Sequence, residues 1–81
     1  MNIQFYGAHW CVDCKRTKEY LDLHAVPYDY IDIDIVPGAA DKVVELNDGL
    51  RTIPTLVFDD GTVYAEPTNA MLATKLSIAR T

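Results

Sequence analysis

Short apolar segments alternate with stretches free of Gly and Pro along the 81 residues of this chain. That alternation limits the fold more than any single residue does. Ile3-Gln4-Phe5-Tyr6 is apolar and aromatic and ends at Gly7, the pattern of a buried strand. From Cys11 to His24 neither Gly nor Pro occurs, and Cys14, Thr17, Leu21 and His24 share one helical face with Tyr20 beside them. This predicts a helix with Cys11 at its N-terminal end, broken by Pro27. Tyr28 to Asp32 reads as a second strand. Its polarity alternation changes phase between Tyr30 and Ile31, as in a strand covered on both faces. Pro37 suits the first turn of a second helix. Ala39, Val43 and Leu46 form its apolar stripe, with Ala40 and Val44 alongside, and Gly49 caps its end. Thr55 to Phe58 and Thr62 to Ala65 are strands joined by an Asp59-Asp60-Gly61 hairpin turn. Past Pro67, Asn69 or Thr68 caps a last helix with Leu72, Leu76 and Ala79 on one face. The strand–helix–strand unit calls for a right-handed crossover and parallel pairing, and the final hairpin is antiparallel. The expectation is one α/β domain over residues 1–81. It has the order βαβαββα, with a four-stranded mixed sheet and three flanking helices.

Composition narrows the function classes. A chain that is 49% hydrophobic and 23% charged is an ordinary globular one and not a disordered one. At this length only about 60% of the extended surface is buried on folding, which leaves no room for a second domain or a dinucleotide cleft. The formal net charge of -5, from 12 acidic and 7 basic residues, argues against a nucleic-acid partner. No stretch approaches the ~18 apolar residues of a membrane span. Met1 to Tyr6 lacks the basic and apolar runs of a signal peptide. A reducing, cytoplasmic setting is expected.

The only two cysteines are Cys11 and Cys14. A disulfide between them closes too small a loop to add much stability in the chain-entropy model, so the pair points to chemistry or to half a metal site. A thiol attacks as its thiolate. At Cys11 a helix N-terminus and the cations Lys15, Arg16 and Lys18 favour that form, with a pKa in the ~3.5–7.5 range of such motifs, while Asp13 opposes it. Cys14, a turn further in, should be more buried and less acidic. Its role would be to attack the mixed disulfide that Cys11 forms. Zinc needs four ligands. Only His9 and His24 are available to add to the cysteines, and His24 falls at the far end of the helix, so no metal site is expected. Asp32-Ile33-Asp34 lacks a third acidic ligand at calcium-loop spacing and reads as a strand end.

Trp10-Cys11-x-x-Cys14, with Thr52-Ile53-Pro54-Thr55 about 40 residues later, resembles the glutaredoxin family, which has the thioredoxin-like fold. The resemblance runs from about Ile3 to Ala79. It implies a cis Ile53-Pro54 bond, with the Ile53 N–H and C=O facing the active-site thiol and pairing with a bound substrate's main chain. Asn47 to Thr55, followed by Phe58-x-Asp60-Gly61, is similar to the actinobacterial branch called mycoredoxins, which use mycothiol. Arg51 would then meet an anionic part of a small thiol. Beyond Cys11 and Cys14, the residues expected at the substrate are His9, Trp10, Val12, Arg51, Thr52, Ile53, Pro54 and Thr68. Trp10 would cover the disulfide edge and His9 would serve as a proton donor or a solvated loop residue.

The sequence departs from the glutathione-dependent pattern at three places. Val12-Asp13 replaces Pro-Tyr, Gly7-Ala8-His9 has no Lys, and Glu66-Pro67-Thr68-Asn69 stands where a Gly-Gly pair holds the tripeptide. The expected activity is thiol-disulfide exchange on protein disulfides or protein/small-thiol mixed disulfides, by a monomer with no bound cofactor. The co-substrate is a low-molecular-weight thiol, mycothiol or glutathione. Direct reduction by a flavoprotein, thioredoxin reductase, stays open, as in the glutaredoxin-like proteins that serve ribonucleotide reductase. So does an iron–sulfur or metal carrier using the same cysteines across a dimer, and a binding module whose motif is redox-idle.

Overall fold

A computed structural model describes residues 2–78. The elements run β1 (Gln4–Gly7), α1 (Val12–Leu23), β2 (Asp29–Asp32), α2 (Ala39–Leu46), β3 (Thr55–Val57), β4 (Val63–Ala65) and α3 (Asn69–Leu76), the order read from the sequence. They form one four-stranded sheet in the order β2-β1-β3-β4. β1 pairs in parallel with β2, placing Phe5 opposite Tyr30 and Gly7 opposite Asp32. It pairs antiparallel with β3, and β3 antiparallel with β4.

Alternation along β1 feeds two cores. On one face Ile3, Phe5, Leu56 and Phe58 pack with Cys14 and Leu21 of α1 and Leu72 of α3. On the other, Tyr6, Ala8 and Ile33 pack with Ala39 and Val43 of α2. Phe5 is fully buried, its ring 5.4 Å from that of Tyr28 and 5.1 Å from that of Tyr30. Asn2 ties the start of the chain to the hairpin, its N–H donating to the Asp59 carboxylate at 2.8 Å.

Some boundaries follow the sequence reading and others differ. Gly7 is the last residue of the first strand, as read, and a Cβ there would meet the Tyr30 hydroxyl at 3.0 Å and Cys14 Sγ at 3.1 Å. β2 is an edge strand with no fully buried residue, although Tyr30 reaches one core and Ile31 the other. His24 is the C-cap of α1, half-buried with its ring centre 4.7 Å from that of Tyr20 and tilted 56° to it, and the chain turns left-handed at Ala25. Pro37 precedes α2, whose N-cap is Gly38. Gly49 closes α2 by donating its N–H to the Val44 carbonyl at 2.8 Å. Of the two candidate caps, Thr68 serves α3: its Oγ1 accepts the Met71 N–H at 3.1 Å. Ala79 lies outside the described residues.

Candidate active site at the head of the first helix

The chain leaves β1, turns through the Ala8 carbonyl accepting the Cys11 N–H at 3.1 Å, and enters α1. Cys11 is the N-cap, with extended backbone (φ -85, ψ 114). Its Sγ takes the place of the oxygen that Ser or Asp would supply and accepts the Cys14 N–H at 3.2 Å. The sulfur therefore faces the unpaired amides and positive end of α1, the setting that stabilises a thiolate. Both thiols are free; Cys11 is half-buried and Cys14 is 1% exposed. Burial, the hydrogen bond with Cys11 and the negative charge of Cys11 and Asp13 push the Cys14 thiol up to about 12, against an opposing backbone bond at Ala8. Cys14 is thus the more buried of the two, as the sequence reading has it, and its burial favours the protonated thiol.

On the β3 side lies the Ile53-Pro54 bond, which is cis, as the family resemblance implies. Pro54 is buried and its carbonyl accepts the Glu66 N–H at 2.7 Å. Thr55 Oγ1 donates to the Thr52 carbonyl at 2.6 Å and accepts from Asn47 Nδ2 at 3.1 Å, which fastens this loop to the end of α2. Ile53 is half-buried against both cores, as Cys11 is. Its own N–H and C=O make no hydrogen bond among the described residues.

The rim is organised by two carboxylates that the sequence reading set aside. Trp10, 61% exposed, donates its indole N–H to Asp34 at 2.5 Å, and Arg51 reaches the same carboxylate at 3.5 Å. His9 Nδ1 lies 3.2 Å from Asp32. The Asp34 N–H, helped by His9 and opposed by partial desolvation, holds the Asp32 carboxyl below its ordinary range. His9, Asp32 and Asp34 bring ligand atoms within 4.8 Å of one another, but Trp10, Arg51 and His9 already occupy these carboxylates. Residues 32 and 34 are 23 and 24 positions from His9 and Trp10, so no local pattern reveals the contact. Val12 is 83% exposed at the helix head.

The cation cluster behind the motif splits. Arg16 does not face the thiols. Its guanidinium donates to Asp13 at 2.9 Å, to the Pro67 carbonyl at 2.8 Å and to Asn69 Oδ1, because α1, the loop before α3 and the first residue of α3 each offer it an acceptor. An open cleft of about 350 Å³ lies there, bounded by Asp13, Arg16, Glu66 and Thr68. Lys15 and Lys18 turn to the other side, toward β2. With Tyr30 they line a cleft of about 230 Å³ that also reaches Cys11 and Cys14.

The glutaredoxin family model matches residues 3–63. Mycoredoxin 1 of Corynebacterium glutamicum is 35% identical over 75 residues, 93% of this chain and 92% of its own. The glutaredoxin-like protein NrdH of Lactococcus lactis is 34% identical over 58 residues, 72% of this chain and 78% of its own. Among solved structures, a mutant of the thioredoxin-like protein BC3987 superposes with a TM-score of 0.83 at 28% identity, covering 95% of this chain and 96% of that one. The fold is thioredoxin-like.

Proposed function

Because the chain belongs to the glutaredoxin family, and is on that ground a thiol-disulfide oxidoreductase, we propose that it reduces protein disulfides, or mixed disulfides between proteins and a small thiol, through Cys11 and Cys14. The observation that carries this reading is the Cys11 sulfur capping α1, with the buried Cys14 one turn behind it.

In the first step the Cys11 thiolate attacks one sulfur of the substrate disulfide. A new S–S bond to Cys11 forms, the old one breaks, and the leaving thiolate takes a proton from water. In the second, Cys14 gives up its proton and attacks Cys11 Sγ. The Cys11–Cys14 disulfide forms and the second substrate thiol leaves reduced. The two electrons come from the dithiol and are restored by an external donor. Ile53's uncommitted N–H and C=O take the substrate main chain, with Thr52 and Pro54 fixing that loop. Trp10, His9 and Val12 form the rim on which a partner rests.

The donor we favour is a neutral small thiol. Arg51 is committed to Asp34 and Arg16 to Asp13, and Glu66 adds a carboxylate to the cleft beside Thr68. Such a surface repels the two carboxylates of glutathione and suits the sugar thiol mycothiol, which carries none. Thr68 borders this cleft as well as capping α3. The likeness to NrdH favours a second donor, a flavoprotein such as thioredoxin reductase. The protein works as a monomer in the cytoplasm, its cysteines acting as thiols and not as cluster ligands.

The test is reduction of one protein mixed disulfide with mycothiol, glutathione or a thioredoxin-reductase system as the sole electron source. Turnover with mycothiol well above that with glutathione is expected. Turnover with the reductase alone replaces the small-thiol reading. No turnover with any of them, or a Cys11→Ser variant as active as the parent, removes the exchange reading altogether.

A further inference from the structure

Of the seven basic residues in the sequence, six lie among the described residues. Four of these are held in ion pairs: Arg16 with Asp13, Lys42 with Glu45, Arg51 with Asp34, and Lys75 with Asp60. The two left outside ion pairs, Lys15 and Lys18, line the same cleft, the one that reaches both thiols from the β2 side. In a chain of net charge -5 this is a sorted arrangement. The wall is also fixed. Lys18 Nζ sits 4.6 Å from the centre of the Tyr30 ring, and that ring stands edge-on to buried Phe5. Among the acidic groups on α1 and β2, Glu19 is exposed, Asp13 pairs with Arg16, Asp22 accepts the Tyr28 hydroxyl and Asp32 is bonded to His9; none of these is in an ion pair with Lys15 or Lys18. The cleft beside Thr68 differs: its charges are Asp13, Arg16 and Glu66, and its one cation is already paired with Asp13. The Ile53 loop, leading into β3, and the lysine cleft, walled by β2, therefore flank Cys11 from opposite sides of β1.

We propose that the cleft formed by Lys15, Lys18 and Tyr30 receives an acidic peptide segment next to the disulfide of a protein partner. This rests on the exchange reading above. A protein substrate brings main chain and side-chain charge together, and the two sides of Cys11 offer a seat for each. Lys15 and Lys18, three residues apart on one helical face, present their charges side by side along the path of the bound chain. The same charges steer an acidic partner to this side of the site, where the cations are not neutralised by ion pairs.

The experiment uses two short synthetic peptides, each with one cysteine joined to thionitrobenzoate. They are identical except that Glu flanks the cysteine in one and Lys in the other. The absorbance of released thionitrobenzoate reports the rate. At low ionic strength the Glu peptide should react about fivefold faster, and the difference should fade at high salt. Lys15→Glu/Lys18→Glu should invert the preference, and Lys15→Gln/Lys18→Gln should bring it close to one. The ratio of the two peptides cancels any change in the intrinsic reactivity of Cys11. A ratio near one in the parent protein, or one unmoved by the substitutions, overturns the proposal. If glutathione joined to thionitrobenzoate gains as much from the lysines as the Glu peptide does, the cleft serves free small anions and the peptide assignment falls. Release from neither peptide overturns the exchange reading, and this proposal with it.

Discussion

Burial and the neighbouring Cys11 push the Cys14 thiol up to about 12, and in the proposed exchange this shapes the second step. Two of the influences that raise it, the hydrogen bond and the charge of Cys11, disappear once that sulfur is tied up in a mixed disulfide; burial, the largest, remains. The fraction of Cys14 present as thiolate then rises with pH all the way from neutrality. Release of the second product should accelerate roughly tenfold per pH unit between about pH 7 and 9. Stopped-flow decay of a purified mixed disulfide checks this, and a flat profile would show that another step governs release. Gly7 matters for a steric reason. A methyl group there would stand 3.0 Å from the Tyr30 hydroxyl and 3.1 Å from Cys14 Sγ, and neither can retreat freely, since the Tyr30 ring rests on Phe5 and Cys14 is buried. Gly7→Ala should lower stability by about 1–3 kcal/mol and slow Cys14's attack more than Cys11's. Urea denaturation and the two-step kinetics measure the pair of effects.

Among the elements, α1 and the loop before α3 are joined by Arg16 alone of the three cations behind the motif. Replacing Arg16 with Ala removes these bonds and leaves the Pro67 carbonyl short of a donor. A loss of about 1–3 kcal/mol in urea is expected, with the alkylation rate of Cys11 barely changed, because the guanidinium points away from the sulfur. This residue also shows where sequence reading stops. The helix over residues 12–23, the cysteine at its head and the hairpin at Asp59-Asp60-Gly61 were legible, since each is written in neighbouring residues. The direction Arg16 takes is not, because its partners lie 51 and 53 positions away and are brought close only by the sheet order. The same holds for Asp34. Its neighbours in sequence suggest a strand end, and only the parallel register of β2 on β1 carries it beneath Trp10. Which of Thr68 and Asn69 caps α3 was not legible, because both are good caps and local chemistry does not rank them.

For the molecule as a whole, one aromatic ring joins the pieces. Phe5 lies at the centre of the sheet, between the rings of Tyr28 and Tyr30 and beneath α1 and α3. Removing such a ring costs about 3–5 kcal/mol, against a total of about 5–15 kcal/mol for a domain. Phe5→Ala should therefore leave a substantial unfolded population at room temperature, visible by circular dichroism, and the loss of reactivity should track the unfolded fraction. In the intact protein the Cys11 sulfur serves the helix and the chemistry at once. In the proposed exchange, bonding to another sulfur makes it a weaker acceptor for the Cys14 amide, and the first turn of α1 is expected to loosen in the mixed disulfide. The amide proton of Cys14 is then a built-in gauge of oxidation. Its resonance frequency and its exchange with heavy water should follow the state of the neighbouring sulfur with no label attached.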